Sequence, residues 1–186
     1  GHSAVAMSAG EMDIFPDWMV GSASKNLRRV YYLTDKVRKT ARGDSKIKKL
    51  HVVGAGTMGG DIAAVAAMSG LNVTLTDVNV SAIEGAINRS GELFARRLKD
   101  TEKISEAIHR LKADPQGDGA ANADLVIEAV AEKLSVKQTV FADLEKVIKP
   151  DAILATNTSA IPIEDIATAL DDPSRLIGLH FFNPVP

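Results

Sequence analysis

From residue 47 to the end of the chain, short apolar runs alternate with longer stretches in which apolar positions recur at helical spacing. Such runs between turn signals are typical of buried parallel strands, and the stretches between them are typical of amphipathic helices. Strands are predicted at 50–53, 72–76, 111–113, 125–130, 153–156 and 176–179. Helices are predicted at 57–69, 81–112 with a break near Thr101, 135–147 and 161–170. This alternation indicates an α/β fold, a doubly wound parallel sheet with the strand order 3-2-1-4-5-6.

The first 46 residues follow a different pattern. Residues 1–12 are small and polar, and their start resembles the remnant of a cleaved tag, so we expect them to be disordered. After an apolar cluster at 15–20, helical spacing predicts a helix from 22 to 42, with Leu27, Val30, Tyr31, Thr34 and Val37 on one face. Gly43-Asp44 ends the helix. We therefore expect 13–46 to be an N-terminal connector helix segment ahead of one domain at 47–186.

Composition narrows the functional classes. Cysteine is absent, which excludes disulfides, cysteine zinc sites and thiol catalysis, and fits a reducing compartment, so we expect a cytoplasmic protein without a metal site. No stretch is long and apolar enough to span a membrane. Ten Lys or Arg and only two Asp fall within 25–49, but this stretch has no recognised nucleic-acid motif. We interpret it as a solvated basic helix face and expect no nucleic-acid partner.

The strand at 50–53 runs into the segment GAGTMG at 54–59, which is a G-x-G-x-x-G motif. A helix and a second strand follow, as in a dinucleotide-binding βαβ unit of the Rossmann type. Gly54 permits a sharp turn, Gly56 leaves room for a pyrophosphate, and Gly59 lets the helix pack closely on the sheet. The N-terminus of the helix offers free N–H groups to the phosphates.

Asp77, at the end of the second strand, predicts which dinucleotide binds. A carboxylate at this position accepts hydrogen bonds from the adenosine ribose 2′-OH and repels a 2′-phosphate. The four residues that follow contain no Arg or Lys to attract such a phosphate. The sequence therefore favours NAD over NADP. The alternative is that Asp77 only caps the next helix.

Three polar clusters follow predicted strands, and in a doubly wound sheet ligands bind at the carboxyl ends of the strands. They lie at 128–132, with Lys137 one turn into the next helix, at 156–159 and at 180–184. Each cluster alone is also explained by turn or capping chemistry, for which Asn157 and Ser159 are suited. Among the histidines, only His180 follows a strand at the predicted cleft. Imidazole is the natural base for removing a hydroxyl proton while hydride leaves the same carbon.

Four segments together resemble one known family. VVGAGTMGGDIA, DLVIEAVAEKLSVK, ATNTSAIPI and GLHFFNPVP are similar to the NAD-binding domain of L-3-hydroxyacyl-CoA dehydrogenases. The resemblance covers about residues 47–186, and the block 180–186 is its most specific part. The connector at 26–39 resembles the segment ahead of this domain in α-subunits of multifunctional fatty-acid oxidation complexes, which carry an enoyl-CoA hydratase upstream.

The resemblance implies roles for individual residues. His180 is the base that takes the proton of the 3-hydroxyl as hydride passes to the nicotinamide, which gives 3-ketoacyl-CoA. Ser159 contacts both nicotinamide and substrate. The other residues implied to bind NAD are Gly54, Gly56, Met58, Gly59, Asp77, Val130, Ala131, Glu132, Lys137, Asn157 and Asn183.

The family continues past this block with a Glu that orients the base, a further Asn, and a helical substrate and dimerisation domain. Because the chain stops at Pro186, we expect a fragment that binds NAD more readily than it turns over. The intact protein is expected to be oligomeric, to act on 3-hydroxyacyl-CoA and to bind the thiolase subunit of a fatty-acid oxidation complex. Arg96, Arg97 and Lys99 either meet CoA phosphates or form a solvated helix face.

Two other functions stay open. One is a 3-hydroxybutyryl-CoA or other 3-hydroxyacid dehydrogenase, which differs from the first reading in chain-length preference. The other is a non-catalytic interaction module with a degenerate Rossmann fold. The intact glycine motif, together with Asp77, Ser159 and His180, argues against degeneration.

Overall fold

The structure, a computed structural model, describes residues 21–40, 45–183 and 185. The chain divides into two compact units, residues 1–45 and 46–186. In the first unit the described part is helix α1, Ser22–Thr40, on which Leu27, Val30 and Tyr31 are exposed. The predicted disordered start at 1–12, the apolar cluster at 15–20 and the predicted helix end at 42–44 lie outside the described residues.

The second unit contains six strands and five α-helices among the described residues. The strands are β1 (Lys49–Val53), β2 (Asn72–Thr76), β3 (Leu111–Ala113), β4 (Leu125–Glu128), β5 (Ile153–Thr156) and β6 (Leu176–Gly178). The helices are α2 (Thr57–Met68), α3 (Val80–Arg97), α4 (Thr101–Arg110), α5 (Leu134–Glu145) and α6 (Ile163–Ala167). All strand pairs are parallel, and the order β3-β2-β1-β4-β5-β6 confirms the predicted α/β fold.

Local chemistry explains where the elements differ from their predicted bounds. The predicted break of the long helical stretch near Thr101 is confirmed: one helix ends at Arg97, and the Asp100 side chain accepts a hydrogen bond from the Glu102 N–H (2.9 Å) and caps α4. Strand β4 ends at Glu128, two residues early, because the Val130 N–H turns back to the Glu128 carboxylate (2.7 Å). The two 3-10 helices at Asp118–Asn122 and Pro173–Arg175 were not predicted, since such short turns leave no periodic pattern.

The sheet is covered by apolar side chains on both faces. Neighbouring residues of β4 point to opposite faces, so Val126 and Ile127 belong to two different clusters. One cluster packs under α2, α3 and α4, and the other packs under α5 and α6. No helix in the described parts of the chain combines the length and apolar character needed to cross a bilayer.

His51 is the one histidine buried among the described residues, in the middle of β1. Its Nδ1 hydrogen-bonds the Thr74 hydroxyl (2.8 Å) on β2, and the Asp114 carboxylate lies 3.7 Å away. Burial lowers the pKa of His51 below its usual value of 6.5, and the nearby Asp114 opposes that shift. His51 is therefore part of the core and lines neither of the cavities described below.

The register of the strands brings their carboxyl ends to one edge. Val53 at the end of β1 lies opposite Thr76 of β2 and Glu128 of β4. Thr156 at the end of β5 lies opposite Glu128 and Gly178. The chain leaves β1 towards β2 on one side and reaches β4 on the other, so this edge contains the switch point at which ligands bind in such sheets.

Candidate functional site

The glycine-rich loop between β1 and α2 is shaped by two different constraints. Gly54 has a φ of +106°, and a Cβ there would lie 2.6 Å from the Ala129 carbonyl oxygen. A Cβ on Gly59 would collide with the carbonyl oxygen of Gly54. In contrast, Gly56 has an ordinary φ of −62°, and a Cβ there would meet nothing within 4 Å. Packing thus requires Gly54 and Gly59, whereas Gly56 keeps space open in front of the N-terminus of α2.

Asp77 is bound to this loop. Its Oδ2 accepts a hydrogen bond from the Ala55 N–H (2.7 Å), and its Oδ1 accepts one from the Asn79 N–H (2.9 Å). The N-cap of α3 is Asn79, whose side chain accepts from the Ser81 N–H (3.1 Å). Helix capping therefore does not explain Asp77. The carboxylate joins the end of β2 to the loop at the point where the chain reverses.

Two cavities lie along the carboxyl edge of the sheet. The first measures about 500 Å³ and lies between the glycine-rich loop, the end of β2 and the turn after β4, with apolar walls at Val78, Val136 and Val140. The second measures about 320 Å³ and lies between the turn after β4 and the loops after β5 and β6. Ala129 and Val130 line both cavities, so the turn after β4 separates them.

The structure brings the residues singled out from the sequence to these two cavities. The first is lined by Gly54, Gly56, Asp77, Val130 and Ala131. The second is lined by Met58, Val130, Glu132, Lys137, Asn157, Ser159, His180 and Asn183. Gly59 is buried in the contact between α2 and the loop, where it acts through packing.

A buried ion pair lies behind the second cavity. Lys137 on α5 and Glu128 at the end of β4 are almost fully buried, and Lys137 Nζ is 2.7 Å from Glu128 Oε1. The same ammonium is 3.2 Å from Glu132 Oε2. Glu128 Oε1 also accepts from the Val130 N–H (2.7 Å), and Glu128 Oε2 accepts from the Thr156 hydroxyl (2.7 Å). The sequence pattern includes Glu128 in a polar cluster but assigns it no role. The feature of the sequence that could have singled out Glu128 is a carboxylate within an otherwise apolar parallel strand.

Glu132 holds the loop after β5 in place. Its Oε1 accepts from the Thr158 hydroxyl (2.5 Å) and from the N–H groups of Ser159 (2.9 Å) and Ala160 (3.2 Å). Desolvation by burial opposes ionisation here, but the hydrogen bonds from Thr158, Ser159 and Lys137 outweigh it and lower the pKa of Glu132 to about 2. Glu132 is therefore a carboxylate at neutral pH, and it fixes the backbone around Ser159.

His180 follows β6 and is exposed at the second cavity. Its ring contacts the ring of Phe182 edge to face, with centroids 4.7 Å apart and an interplanar angle of 70°. The next residue, Phe181, donates its N–H to the Asn157 side-chain oxygen (2.8 Å). Asn157 thus ties the loop after β6 to the loop after β5, which brings His180 and Ser159 to one cavity. This contact between distant segments leaves no signal in the sequence.

A third cavity of about 250 Å³ lies between α2 and α3, away from the strand ends. Its lining includes Arg89, Arg96 and Arg97 of α3, the carboxylates Asp61 and Glu92, and Val185. Lys99, which the sequence pattern groups with Arg96 and Arg97, is exposed beyond the end of α3.

Comparison with known proteins places these features in one family. Residues 49–186 match the family described as "3-hydroxyacyl-CoA dehydrogenase, NAD binding domain". A 3-hydroxybutyryl-CoA dehydrogenase of Bradyrhizobium diazoefficiens is 43% identical over 144 residues, which cover 75% of this chain and 49% of that protein. The fatty acid oxidation complex subunit alpha of Ectopseudomonas oleovorans is 36% identical over 172 residues, 88% of this chain and 24% of that protein.

Solved structures agree with this. The crystal structure of 3-hydroxybutyryl-CoA dehydrogenase from Escherichia coli K12 matches with a TM-score of 0.73 and 40% identity, over 76% of this chain and 31% of that one. The dehydrogenase part of multifunctional enzyme 1 from C. elegans matches with a TM-score of 0.67 and 31% identity, over 76% of this chain and 33% of that one. The chain spans about half the length, or less, of the curated relatives it matches.

Proposed function

Because the chain belongs to the 3-hydroxyacyl-CoA dehydrogenase family, through the NAD-binding domain of that family, we propose that it serves an NAD-dependent oxidation of L-3-hydroxyacyl-CoA to 3-ketoacyl-CoA in fatty-acid β-oxidation. The observation that carries this proposal is the placement of His180 and Ser159 at one cavity, next to a second cavity built around the glycine-rich loop. Hydride transfer requires a dinucleotide and a hydroxyl substrate side by side, and the two neighbouring cavities offer room for both.

The residues present fit NAD. The first cavity suits the adenosine half, with Asp77 as the acceptor for ribose hydroxyls and apolar walls for the base. The open space at Gly56 suits the pyrophosphate at the N-terminus of α2. The second cavity suits the nicotinamide half, beside Met58, Lys137 and Ser159. When bound, NAD supplies the hydride acceptor.

The chain's own residues orient the substrate and move a proton. An imidazole nitrogen of His180 takes the proton of the 3-hydroxyl, which raises the electron density on the oxygen as the carbon loses hydride. In this proposal the Ser159 hydroxyl, which donates to Glu132 Oε1 (3.3 Å) within the protein, turns to the same oxygen. Glu132 and Asn157 set the two loops on which these side chains stand. These contacts lie within the protein itself, so both side chains stand on loops that hydrogen bonds hold in place.

The cavity with Arg89, Arg96 and Arg97 is our candidate contact for the phosphates of CoA. Three arginines of α3 line this cavity, and a guanidinium group can donate two parallel hydrogen bonds to the oxygens of one phosphate. Two carboxylates, Asp61 and Glu92, share this cavity and limit its positive charge. The alternative of a plain solvated helix face predicts that neutralising these arginines leaves CoA binding unchanged.

The connector favours a multifunctional α-subunit over a single dehydrogenase. The match to the fatty acid oxidation subunit covers 88% of this chain, which is more than residues 47–186 make up, so the similarity extends into the segment before residue 47. The match to 3-hydroxybutyryl-CoA dehydrogenase covers 75% of this chain, which residues 47–186 can hold, so it needs no such extension. We therefore propose a cytoplasmic, oligomeric protein with an enoyl-CoA hydratase upstream and a thiolase subunit as partner, and a connector helix segment at 13–46.

A fluorescence titration of the 186-residue chain with NADH, and a separate titration with NADPH as the control, test the cofactor assignment. We expect saturable binding of NADH and at least about tenfold weaker binding of NADPH, because the Asp77 carboxylate repels a 2′-phosphate. His180→Gln is the matched control: it should bind NADH as tightly as the wild type, because the imidazole acts on the substrate. Absence of saturable NADH binding would contradict the proposal.

A further inference from the structure

Glu128 is the buried charge that the proposed mechanism leaves unused. Its side chain is fully buried at the end of β4, in the centre of the sheet, and its partner Lys137 is 1% exposed. Burying an ion pair is costly, and well-packed apolar residues in its place are often neutral or stabilising. The neighbouring strand positions are apolar already. Stability of the fold is therefore a weak reason for a charge at this position.

Three hydrogen bonds converge on the Glu128 carboxylate, each from a different segment. The Val130 N–H (2.7 Å) comes from the turn after β4, the Lys137 ammonium (2.7 Å) from α5, and the Thr156 hydroxyl (2.7 Å) from the end of β5. Val130 and Lys137 line the second cavity, and Thr156 leads directly into the loop with Asn157 and Ser159. The carboxylate thus joins three of the segments that enclose this cavity.

We propose that Glu128 is a positioning residue for the nicotinamide half of the cofactor site, a role that rests on the proposed function. It holds the Lys137 ammonium at the back of the second cavity and locks the Val130 turn that divides the two cavities. An ammonium has three N–H donors. Glu128 and Glu132 accept two of them, so one remains for a ligand in the cavity that Lys137 lines.

Beside the Val130 turn that the two cavities share, the glycine-rich loop and Asp77 of the adenosine half are held by contacts that do not involve Glu128. There the Gly54 N–H donates to the Thr76 carbonyl (2.8 Å), and the Ala55 N–H donates to Asp77 (2.7 Å). These contacts join the glycine-rich loop to β2, on the other side of β1 from Glu128. Loss of the Glu128 charge should therefore weaken one half of the site and spare the other.

The test compares two ligands on the 186-residue chain. ADP-ribose contains the adenosine and pyrophosphate but no nicotinamide, whereas NADH contains all three. For Glu128→Gln we expect the Kd for NADH to rise at least about tenfold, which corresponds to about 1.4 kcal/mol. The Kd for ADP-ribose should stay within about twofold of the wild type. The split between the two ligands is a result that a purely structural role would not produce.

Asp124→Asn is the matched control. The Asp124 carboxylate also accepts three hydrogen bonds, from Lys149 Nζ (2.6 Å) and from the N–H groups of Lys48 and Lys49 (both 2.9 Å). Asp124 precedes β4, however, and so lies at the amino ends of the strands, opposite to the cavities. Its loss should lower the melting temperature and leave both Kd values unchanged. Both ligands are titrated well below the melting temperature of each variant, so that a difference in stability does not enter the Kd.

Two outcomes for Glu128→Gln overturn the inference: NADH binding equal to that of the wild type, or equal losses for both ligands. If Glu128→Gln does not fold, Thr156→Val decides, because it removes one hydrogen bond to the carboxylate and keeps the charge. Thr156→Val should show the same difference between the two ligands, with a smaller rise in the Kd for NADH. Wild-type Kd values for both ligands, or equal rises for both, would refute the role of Glu128. A wild-type chain that binds ADP-ribose but no NADH would contradict the proposed function itself.

Discussion

Gly56→Ala should separate dinucleotide binding from stability. The Gly56 backbone has a φ of −62° and a ψ of −172°, which alanine adopts without strain, and the added Cβ meets nothing within 4 Å. Alanine restricts the unfolded chain, which stabilises by about 0.4–1 kcal/mol. It is also a poorer helix N-cap than glycine, which costs a similar amount. The two effects nearly cancel, so we expect the free energy of unfolding to change by less than about 1 kcal/mol.

Binding should respond very differently. The space that the new methyl group fills is the space in front of the N-terminus of α2, where the proposed function puts the pyrophosphate. Displacing an anion from one backbone N–H loses a charge-assisted hydrogen bond, worth about 1.5–3 kcal/mol. We therefore expect Gly56→Ala to raise the Kd for NADH about 10- to 100-fold. Gly59→Ala is the contrasting variant, because its Cβ collides with the Gly54 carbonyl and the loop must move.

The assay pairs urea unfolding with an NADH titration for each protein. Gly56→Ala should keep the wild-type midpoint and lose affinity, whereas Gly59→Ala should lose about 1–3 kcal/mol of unfolding free energy from overpacking and lose affinity as well. The reasoning is refuted if Gly56→Ala binds NADH as the wild type does. It is equally refuted if Gly56→Ala is destabilised as much as Gly59→Ala, since the site would then be closed in the free protein.

The remaining predictions concern Asp77, His51 and the arginine cavity. Asp77→Ala should raise the Kd for NADH about 10- to 100-fold, because it removes the acceptor for the ribose hydroxyls and leaves the Ala55 N–H without its partner. Titrations with NADH and NADPH should also show a smaller preference for NADH over NADPH. The pKa of His51 is lowered in the folded state, so the unfolded chain binds more protons below pH 6.5. The contribution of His51 to the unfolding free energy should be fully present above pH 6.5 and should be lost as the pH falls below it. In urea unfolding at several pH values, His51→Gln should flatten this dependence of the unfolding free energy on pH. The double variant Arg96→Ala/Arg97→Ala should weaken the binding of a CoA thioester and leave the Kd for NADH unchanged, each measured by titration. Unchanged binding of the CoA thioester would favour a solvated helix face.

The sheet could be predicted from the sequence because its signals are local. Apolar runs between turns give the strands, and the G-x-G-x-x-G segment fixes which strand is β1. The break before Thr101 has a local cause too, the cap by Asp100. The early end of β4 has a different cause, since it depends on a side chain folding back to its own turn. A pattern of apolar positions carries no information about that rotamer.

The candidate site divides in the same way. From parallel strands alone, the three polar clusters are expected at one edge, and the register places Val53, Glu128 and Thr156 side by side there. Which atoms pair across that edge was not predictable. The bond from Phe181 to Asn157 and the bonds from Ser159 to Glu132 join segments 24 and 27 residues apart, and each depends on how a loop closes.

The two cavities therefore differ in how the chain specifies them. The glycine-rich loop of the first is specified by backbone packing, because Gly54 and Gly59 are required by contacts with carbonyl oxygens and Gly56 by open space. A short motif is enough to encode such a site, which is why the dinucleotide could be inferred from a dozen residues. The second is made of side chains held by the carboxylates of Glu128 and Glu132, so its specification is spread over β4, α5 and two loops. Changes in one of those segments must be matched by the others. Variation in substrate among relatives with the same fold is then expected to arise around the second cavity and the chain beyond it, while the first stays the same.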